Sequence, residues 1–374
     1  MTHSHYTGLI DQYRERLPLA ADVEPVALCE GRTPLIRLRN LPQDLGFRGE
    51  IYVKYEGLNP TGSFKDRGMT VAVTAALAEG SKAVICASTG NTSAAAAAYA
   101  ARAGMKCFML IPEGKIALGK LAQAGISGAE VIQIRGNFDD GMRIVKGLSD
   151  SLPITVVNSI NPWRLQGQKT ASFEIIEALG RAPDYHCLPV GNAGNISAYW
   201  LGYREMAPRQ DDETPIAPPE FVYARDVVCA NRPIMCGYQA AGAAPFLRGV
   251  PVDHPETIAT AIRIGNPQSW AHAETAVRES RGWFDEFTDE QILHAQKVLA
   301  QREGVFCEPA SAASVAGAMA DIRSGRIPQG AQVVCTLTGH GLKDPDVAIK
   351  QNDAEPIVVD ARPESVEQAL KRAL

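Results

Sequence analysis

Residues 82–112 read KAVICASTGNTSAAAAAYAARAGMKCFMLIP, and the order of residue types in this stretch decides the fold. A short β-branched apolar run, VICA, passes through a small polar turn into an alanine-rich segment, and after Gly104 a second apolar run, KCFMLIP, begins. Strand followed by helix, repeated, implies a parallel sheet with helices on its faces. The same alternation extends outward on both sides. Before it come IYVKYEG and KDRGMTVAVTAALAEG; after it come LGKLAQAG, EVIQIRG, FDDGMRIVKGLSD and ITVVNS. It resumes beyond residue 165 with QKTASFEIIEALG, YHCLPVG and NISAYWLGYREM, and again with VFCEP, ASAASVAGAMADI and AQVVCTLTG. Two α/β units are therefore expected, with the boundary at the polar turn SINPW, residues 159–163.

The bulk composition supports two such units. The chain has 374 residues, and its 45% hydrophobic content supplies core for two domains of ordinary size. Its 37 basic and 42 acidic residues are interspersed, giving a formal net charge of −5 without a block of either sign. Nucleic acid and membrane surfaces are accordingly poor partners. No apolar run approaches the ~20 residues that cross a bilayer, and the start, MTHSHYTGLIDQYRERLP, has no basic stretch followed by an apolar one, so a soluble cytoplasmic protein is expected. The eight cysteines include no C-x-x-C pair and mostly sit in apolar runs, as buried free thiols would; neither they nor the seven histidines have zinc-ligand spacing, and no metal site is assigned. Residues 207–226, APRQDDETPIAPPEFVYARD, carry four prolines and five acidic residues and break the preceding helical pattern, which reads as a surface insertion at about 207–229.

Four local patterns carry chemistry. In NPTGSFKDRG, residues 59–68, a turn precedes a helix whose first residues include Ser63, Lys65 and Asp66. A lysine in a first helical turn meets the positive end of the macrodipole, and disfavouring the ammonium leaves a free amine able to attack an aldehyde. The second pattern, GNAGN at 191–195, follows the apolar run HCLPV and opens a helix. Strand, glycine-rich turn and helix aim backbone N–H groups at a phosphate. This loop is neither G-x-G-x-x-G nor a Walker loop, so a dinucleotide or triphosphate is not indicated. Third, Ala87 to Ser93, ASTGNTS, places small hydroxyl and amide residues at another helix N-terminus, suited to a carboxylate. Fourth, CTLTGHGL at 335–342 ends a β run at Thr338, at the strand end where open α/β sheets bind ligands. A neutral hydroxyl there could face a pyridine nitrogen, which it cannot protonate as an aspartate would.

With these four patterns in hand, the sequence resembles the threonine synthases, in the fold-type II group of pyridoxal-phosphate enzymes. The resemblance runs from GRTPLI at 31–36 to TGHGLKDP at 338–345. It implies two open twisted sheets with flanking helices in a tryptophan synthase β-like architecture, with the active site between domains. Residues 1–55 and 160–374 would form the large cofactor-binding domain and 56–159 the small one. By the same resemblance Lys65 is the Schiff-base lysine for pyridoxal 5'-phosphate and Asn91 faces the cofactor's 3'-oxygen. Gly191, Asn192, Ala193, Gly194 and Asn195 bind its phosphate, and Thr338 meets its ring nitrogen. Ser88, Thr89 and Thr92 would hold the substrate carboxylate.

The lysine and the phosphate loop are shared with threonine dehydratase and cysteine synthase, so they do not choose the reaction. O-phosphohomoserine carries a second phosphate and needs a second site. NSINPWRLQGQK at 158–169 brings Asn158, Ser159 and Arg164 onto one turn and resembles the segment that reads this group; Lys120 could assist. Arginine is the side chain best shaped to clamp a phosphate with two parallel hydrogen bonds. The implied reaction is β,γ-elimination and replacement, giving threonine and phosphate, in a protein expected to be a homodimer. The alternatives are a paralogue acting on another γ-substituted amino acid and a deaminase of the threonine dehydratase type.

Overall fold

The computed structural model describes residues 5–113, 118–136, 138–149, 151–159, 161–209, 212, 226–352 and 356–373. Most of the insertion expected at 207–229 lies outside these residues. The strands are β1 (Leu35–Arg37), β2 (Glu50–Tyr55), β3 (Ala83–Cys86), β4 (Lys106–Pro112), β5 (Glu130–Ile134), β6 (Ile154–Val156), β7 (Tyr185–Pro189), β8 (Ile234–Ala240), β9 (Trp283–Phe287) and β10 (Gln332–Leu337). Among the described residues they form two sheets. One has four strands in the order β5-β4-β3-β6, all parallel; the other has six in the order β1-β2-β10-β7-β8-β9.

The six-stranded sheet departs from the sequence expectation in two ways. Strand β1 runs antiparallel to β2, pairing Leu35 with Lys54. Strands β8 and β9 extend the sheet beyond β7, although the alternation did not identify IMCGYQA or WFDEF as strands. The charged residues of β9 hide its apolar positions from a pattern search, and a long stretch of sequence separates β8 from the helix before it. Strand β10, near the chain's end, inserts between β2 and β7, with Cys335 opposite both Val53 and Cys187. Seven of the eight cysteines are buried and all eight are free thiols, so their packing value lies in small apolar volume.

Two helices position the site. The first, Lys65–Ala78, is buried from Asp66 to Ala76. Its Met69, Ala72, Val73 and Ala76 pack against Ala95, Ala96 and Tyr99 of the helix Asn91–Arg102 over the four-stranded sheet. The second, Pro162–Gln168, starts with Asn161 as its cap, whose side chain accepts the Trp163 N–H, and with proline at a position where no N–H is required. The two helices touch through glycine. A Cβ on Gly167 would fall 1.9 Å from the carbonyl oxygen of Arg67, and one on Gly68 would fall 2.8 Å from that of Arg164. Only glycine permits backbones to approach so closely, and the contact holds Lys65 and Arg164 in a fixed relation.

A buried ionic network fastens the same helix to the large sheet. Arg67, fully buried, donates to Glu56 at 2.6 and 2.8 Å and to Glu174 at 2.7 Å through two nitrogens; Lys54 reaches Glu174 at 2.6 Å. Burial alone would raise the Glu174 carboxyl, but Arg67 and Lys54 outweigh it and hold it down at about 2. A group whose folded pKa is depressed stabilises the fold above its unfolded value, and that contribution is lost as pH falls from 4.5 through about 2. Removing one partner leaves uncompensated charge in the interior, so Arg67→Ala is expected to cost about 3–5 kcal/mol of stability. Urea unfolding at neutral pH measures it; a loss under about 1 kcal/mol would mean that water reaches the carboxylates.

Candidate active site

The carboxyl ends of β3, β4, β7 and β10, with the turn after β6, converge on one cavity of about 710 Å³. That is within the usual range for a cofactor and a small substrate. The first helix begins at Lys65, with Phe64 in the cap position, so the lysine is at a helix N-terminus as expected, whereas Ser63, expected within the helix, precedes it and bridges to Gly339. Lys65 lines the cavity, with its amine 4.3 Å from the centroid of the Phe64 ring. Burial, helped by the nearby Arg164 cation and opposed by Glu308, lowers its pKa to about 7. The preceding turn is held by Asp66, whose carboxylate accepts the Thr61 N–H at 2.7 Å and the Thr61 hydroxyl. Burial raises Asp66 to about 7, against the pull of these bonds.

The GNAGN loop follows β7 and leads into the helix Gly194–Met206. Ala193 adopts a left-handed conformation, φ 63°, of the kind that gathers successive N–H groups into an anion-binding concavity. A Cβ on Gly191 would lie 2.8 Å from Ile262 Cα, so the loop is pressed against the 260–264 segment and keeps its shape. The two asparagine side chains are committed: Asn195 donates to the Pro189 carbonyl at 2.6 Å, and Asn192 donates to the Ser159 hydroxyl at 2.8 Å while accepting the Gln268 N–H at 2.9 Å. What the loop offers an anion is therefore mainly backbone N–H, as the cradle reading requires.

On the opposite wall, Ser88, Thr89, Asn91 and Thr92 line the cavity where the helix Asn91–Arg102 begins. Asn158 lines it too, but both ends of its amide bond to the backbone of Ala87 at 3.0 Å, which fastens the turn after β6 to the end of β3. Ser159 lines the cavity and meets Asn192. The side chain of Lys120 lies outside the described residues. Thr338 is buried at the end of β10, its hydroxyl 2.9 Å from that of Ser311.

Arg164 is the most informative of these residues. It is fully buried, and one guanidinium nitrogen donates to the Val157 carbonyl at 3.1 Å. Its Nε and second terminal nitrogen have no protein acceptor among the described residues. Burial lowers its pKa to about 10, which leaves it charged at neutral pH. A buried cation with two donors unmatched by protein acceptors is costly unless an anion meets them. Arg164 does not itself line the cavity, whereas Ser159 and the GNAGN loop do; these two, with the Arg164 cation near Lys65, suit two phosphates, one for a cofactor and one for a substrate. The residues present therefore fit pyridoxal phosphate as well as a phosphorylated amino acid.

Sequence reasoning missed two groups here. Gln168, one turn after Arg164, is 3% exposed, and its carbonyl oxygen has no donor among the described residues. Glu308 is the only acidic side chain lining the cavity among the described residues. Its sequence signal, Glu-Pro before an alanine-rich run, reads as an ordinary helix start.

Comparison with known proteins places the chain among relatives. The sequence signature described as "Pyridoxal-phosphate dependent enzyme" matches residues 26–339. A threonine synthase of Mycobacterium leprae is 56% identical over 362 residues, covering 96% of this chain and 95% of its own. One from Halalkalibacterium halodurans is 54% identical, covering 95% of each chain, and one from Methanocaldococcus jannaschii is 50% identical, covering 96% of this chain and 86% of its own. Among solved structures, maize serine racemase superimposes with a TM-score of 0.70 at 20% identity, covering 98% of both chains. A threonine deaminase of Solanum lycopersicum gives 0.69 at 20% identity over 86% of this chain and 89% of its own. These structural likenesses establish the fold.

Proposed function

This chain belongs to the pyridoxal-phosphate dependent enzyme family and, within it, to the threonine synthases, and from that premise we infer that it converts O-phospho-L-homoserine and water to L-threonine and phosphate. The observation that carries the substrate assignment is Arg164, whose two unmatched donors are buried close enough to Lys65 for its charge to depress the amine. A deaminase acting on threonine itself would have no use for this cation.

In our reading, Lys65 supplies the amine that holds the cofactor's aldehyde carbon, the backbone of Gly191 to Asn195 holds its phosphate, and Asn91 and Thr338 face its 3'-oxygen and ring nitrogen. The bound cofactor supplies an electron sink for carbanions at the substrate's Cα. Ser88, Thr89 and Thr92 orient the substrate carboxylate at the N-terminus of the helix Asn91–Arg102. Ser159 and Arg164, with Lys120, hold the substrate phosphate and stabilise it as it leaves Cγ. Lys65 would also be the base at Cα; a buried amine with pKa about 7 is half unprotonated at neutral pH and suits that role. We further read residues 56–159 as a small domain, 1–55 and 160–374 as the large one, and the enzyme as a cytoplasmic homodimer.

Incubation with O-phosphohomoserine should release threonine and phosphate in equal amounts. Turnover of threonine to an oxo acid without activity on the phosphorylated substrate would replace this reading with the deaminase. The pKa of Lys65 makes a second expectation. With the cofactor removed, the initial rate of pyridoxal phosphate capture should rise about tenfold per pH unit below 7 and level off above it, followed by absorbance. A rate independent of pH from 6 to 9 would contradict it.

A further inference from the structure

Glu308 occupies the cap position of the helix Pro309–Ser324, yet its side chain makes no capping bond. It turns the other way. Its carboxylate lies 3.1 and 3.3 Å from the amide nitrogen of Asn91 and 3.4 Å from the hydroxyl of Thr338. It is 4% exposed. Space for it exists because residue 339 is glycine: a Cβ there would fall 2.4 Å from the Glu308 carboxylate. Asn91 follows β3 of the four-stranded sheet and Thr338 follows β10 of the six-stranded one, so this carboxylate joins the two sheets at the cavity. The charges facing it are Lys65 and Lys343, and Cys307 precedes it in the chain.

We propose that Glu308 is a positioning residue for the cofactor ring, fixing which hydrogen-bonding atoms Asn91 and Thr338 present to its two edges. The proposal rests on the reading that these two residues face the ring's 3'-oxygen and nitrogen. An amide nitrogen carries two hydrogens. Glu308 takes one of those on Asn91, which leaves the other for the 3'-oxygen and excludes the flipped amide, whose carbonyl would oppose the carboxylate. The hydroxyl of Thr338 has one hydrogen and two acceptor sites. Ser311 accepts the Gly339 N–H at 2.9 Å, so its own hydrogen is available to the Thr338 oxygen, 2.9 Å away. With Glu308 ionised, the Thr338 hydrogen goes to the carboxylate and a lone pair is left for the ring. A threonine held in that state accepts from a protonated ring nitrogen, the form that is the stronger electron sink. Without the carboxylate, the same hydrogen turns to the ring and favours the unprotonated nitrogen. Burial raises the Glu308 carboxyl, while Asn91, Lys343, Thr338 and Lys65 oppose that rise.

The test compares the wild-type holoenzyme with Glu308→Gln, reading the dissociation constant for pyridoxal phosphate and the absorbance spectrum of the bound cofactor between pH 5.5 and 9. The glutamine variant is expected to bind pyridoxal phosphate about tenfold more weakly and to shift the absorbance maximum or its pH midpoint. In a Thr338→Val background the same substitution should shift the spectrum by less than half as much, since its effect passes through that hydroxyl. A wild-type spectrum and affinity in Glu308→Gln overturns the proposal, as does a full spectral shift in the Thr338→Val background. If the glutamine variant does not fold, Glu308→Asp, which keeps the charge but withdraws it from Asn91 and Thr338, takes its place, and unaltered spectrum and affinity overturn the proposal equally. An unchanged spectrum in Asn91→Ala and Thr338→Val would instead refute the site reading beneath it.

Discussion

Lys65→Ala is expected to abolish threonine formation, with a loss of at least about 10⁴-fold in turnover, because one side chain performs two tasks. In the proposed mechanism it holds the cofactor by covalent attachment and serves as the base at Cα. The fold should survive. Lys65 forms no salt bridge among the described residues, it lines the cavity, and its removal relieves a desolvated cation. The GNAGN loop is unaltered, so the variant should still bind the cofactor's phosphate without the covalent link, and the absorbance band of the lysine-bound cofactor should vanish. Circular dichroism separates this result from misfolding, and partial restoration of turnover by a small added amine would identify the missing group as the amine itself. Turnover within tenfold of wild type would sink the assignment.

The second large effect is expected at Arg164. Truncating one partner of a buried, hydrogen-bonded charge pair typically costs about 2–5 kcal/mol. Arg164→Gln should therefore lower kcat/KM for O-phosphohomoserine by roughly 30- to 5,000-fold, at about 1.36 kcal/mol per tenfold. Affinity for pyridoxal phosphate should stay within about threefold of wild type, because the site proposed for that phosphate is the GNAGN loop. Arg164→Lys keeps the charge but loses the planar fork, and should recover only part of the loss. An independent readout follows from electrostatics: the Arg164 cation lowers the pKa of Lys65, so removing it must raise that pKa and move the pH midpoint of cofactor capture above 7. Equal losses in cofactor and substrate affinity would place Arg164 at the cofactor, and an unmoved midpoint would show that the two cations do not interact.

The parts of this site that were legible beforehand share a property. Lys65 in NPTGSFKDRG, the GNAGN loop and Thr338 in CTLTG each combine a turn or strand end with a chemically distinctive residue within ten positions of chain. Their local conformation is set by nearby residues, so chemistry and position can be read together. Glu308 and Gln168 lack such a context. Glu308 resembles a helix cap because Glu-Pro usually is one, and nothing near it in sequence indicates that its side chain turns toward Asn91, 217 residues away. Asn158 shows the converse. Read as a ligand group, it bonds through both ends of its amide to Ala87.

By itself the sequence determined the α/β class, the parallel strands of the four-stranded sheet, and the placing of Lys65 and of the GNAGN turn at helix starts, because alternation, helix starts and glycine turns are governed by short-range sterics and hydrogen bonding. Tertiary structure alone decided the antiparallel β1, the insertion of β10 between β2 and β7, and the glycine contact between Gly68 and Gly167 that sets Lys65 beside Arg164. It also decided that Arg164 is buried with donors to spare rather than solvated on a loop. These outcomes depend on which distant surfaces pack together, and the burial and electric field that tune a charged group exist only after that packing is complete.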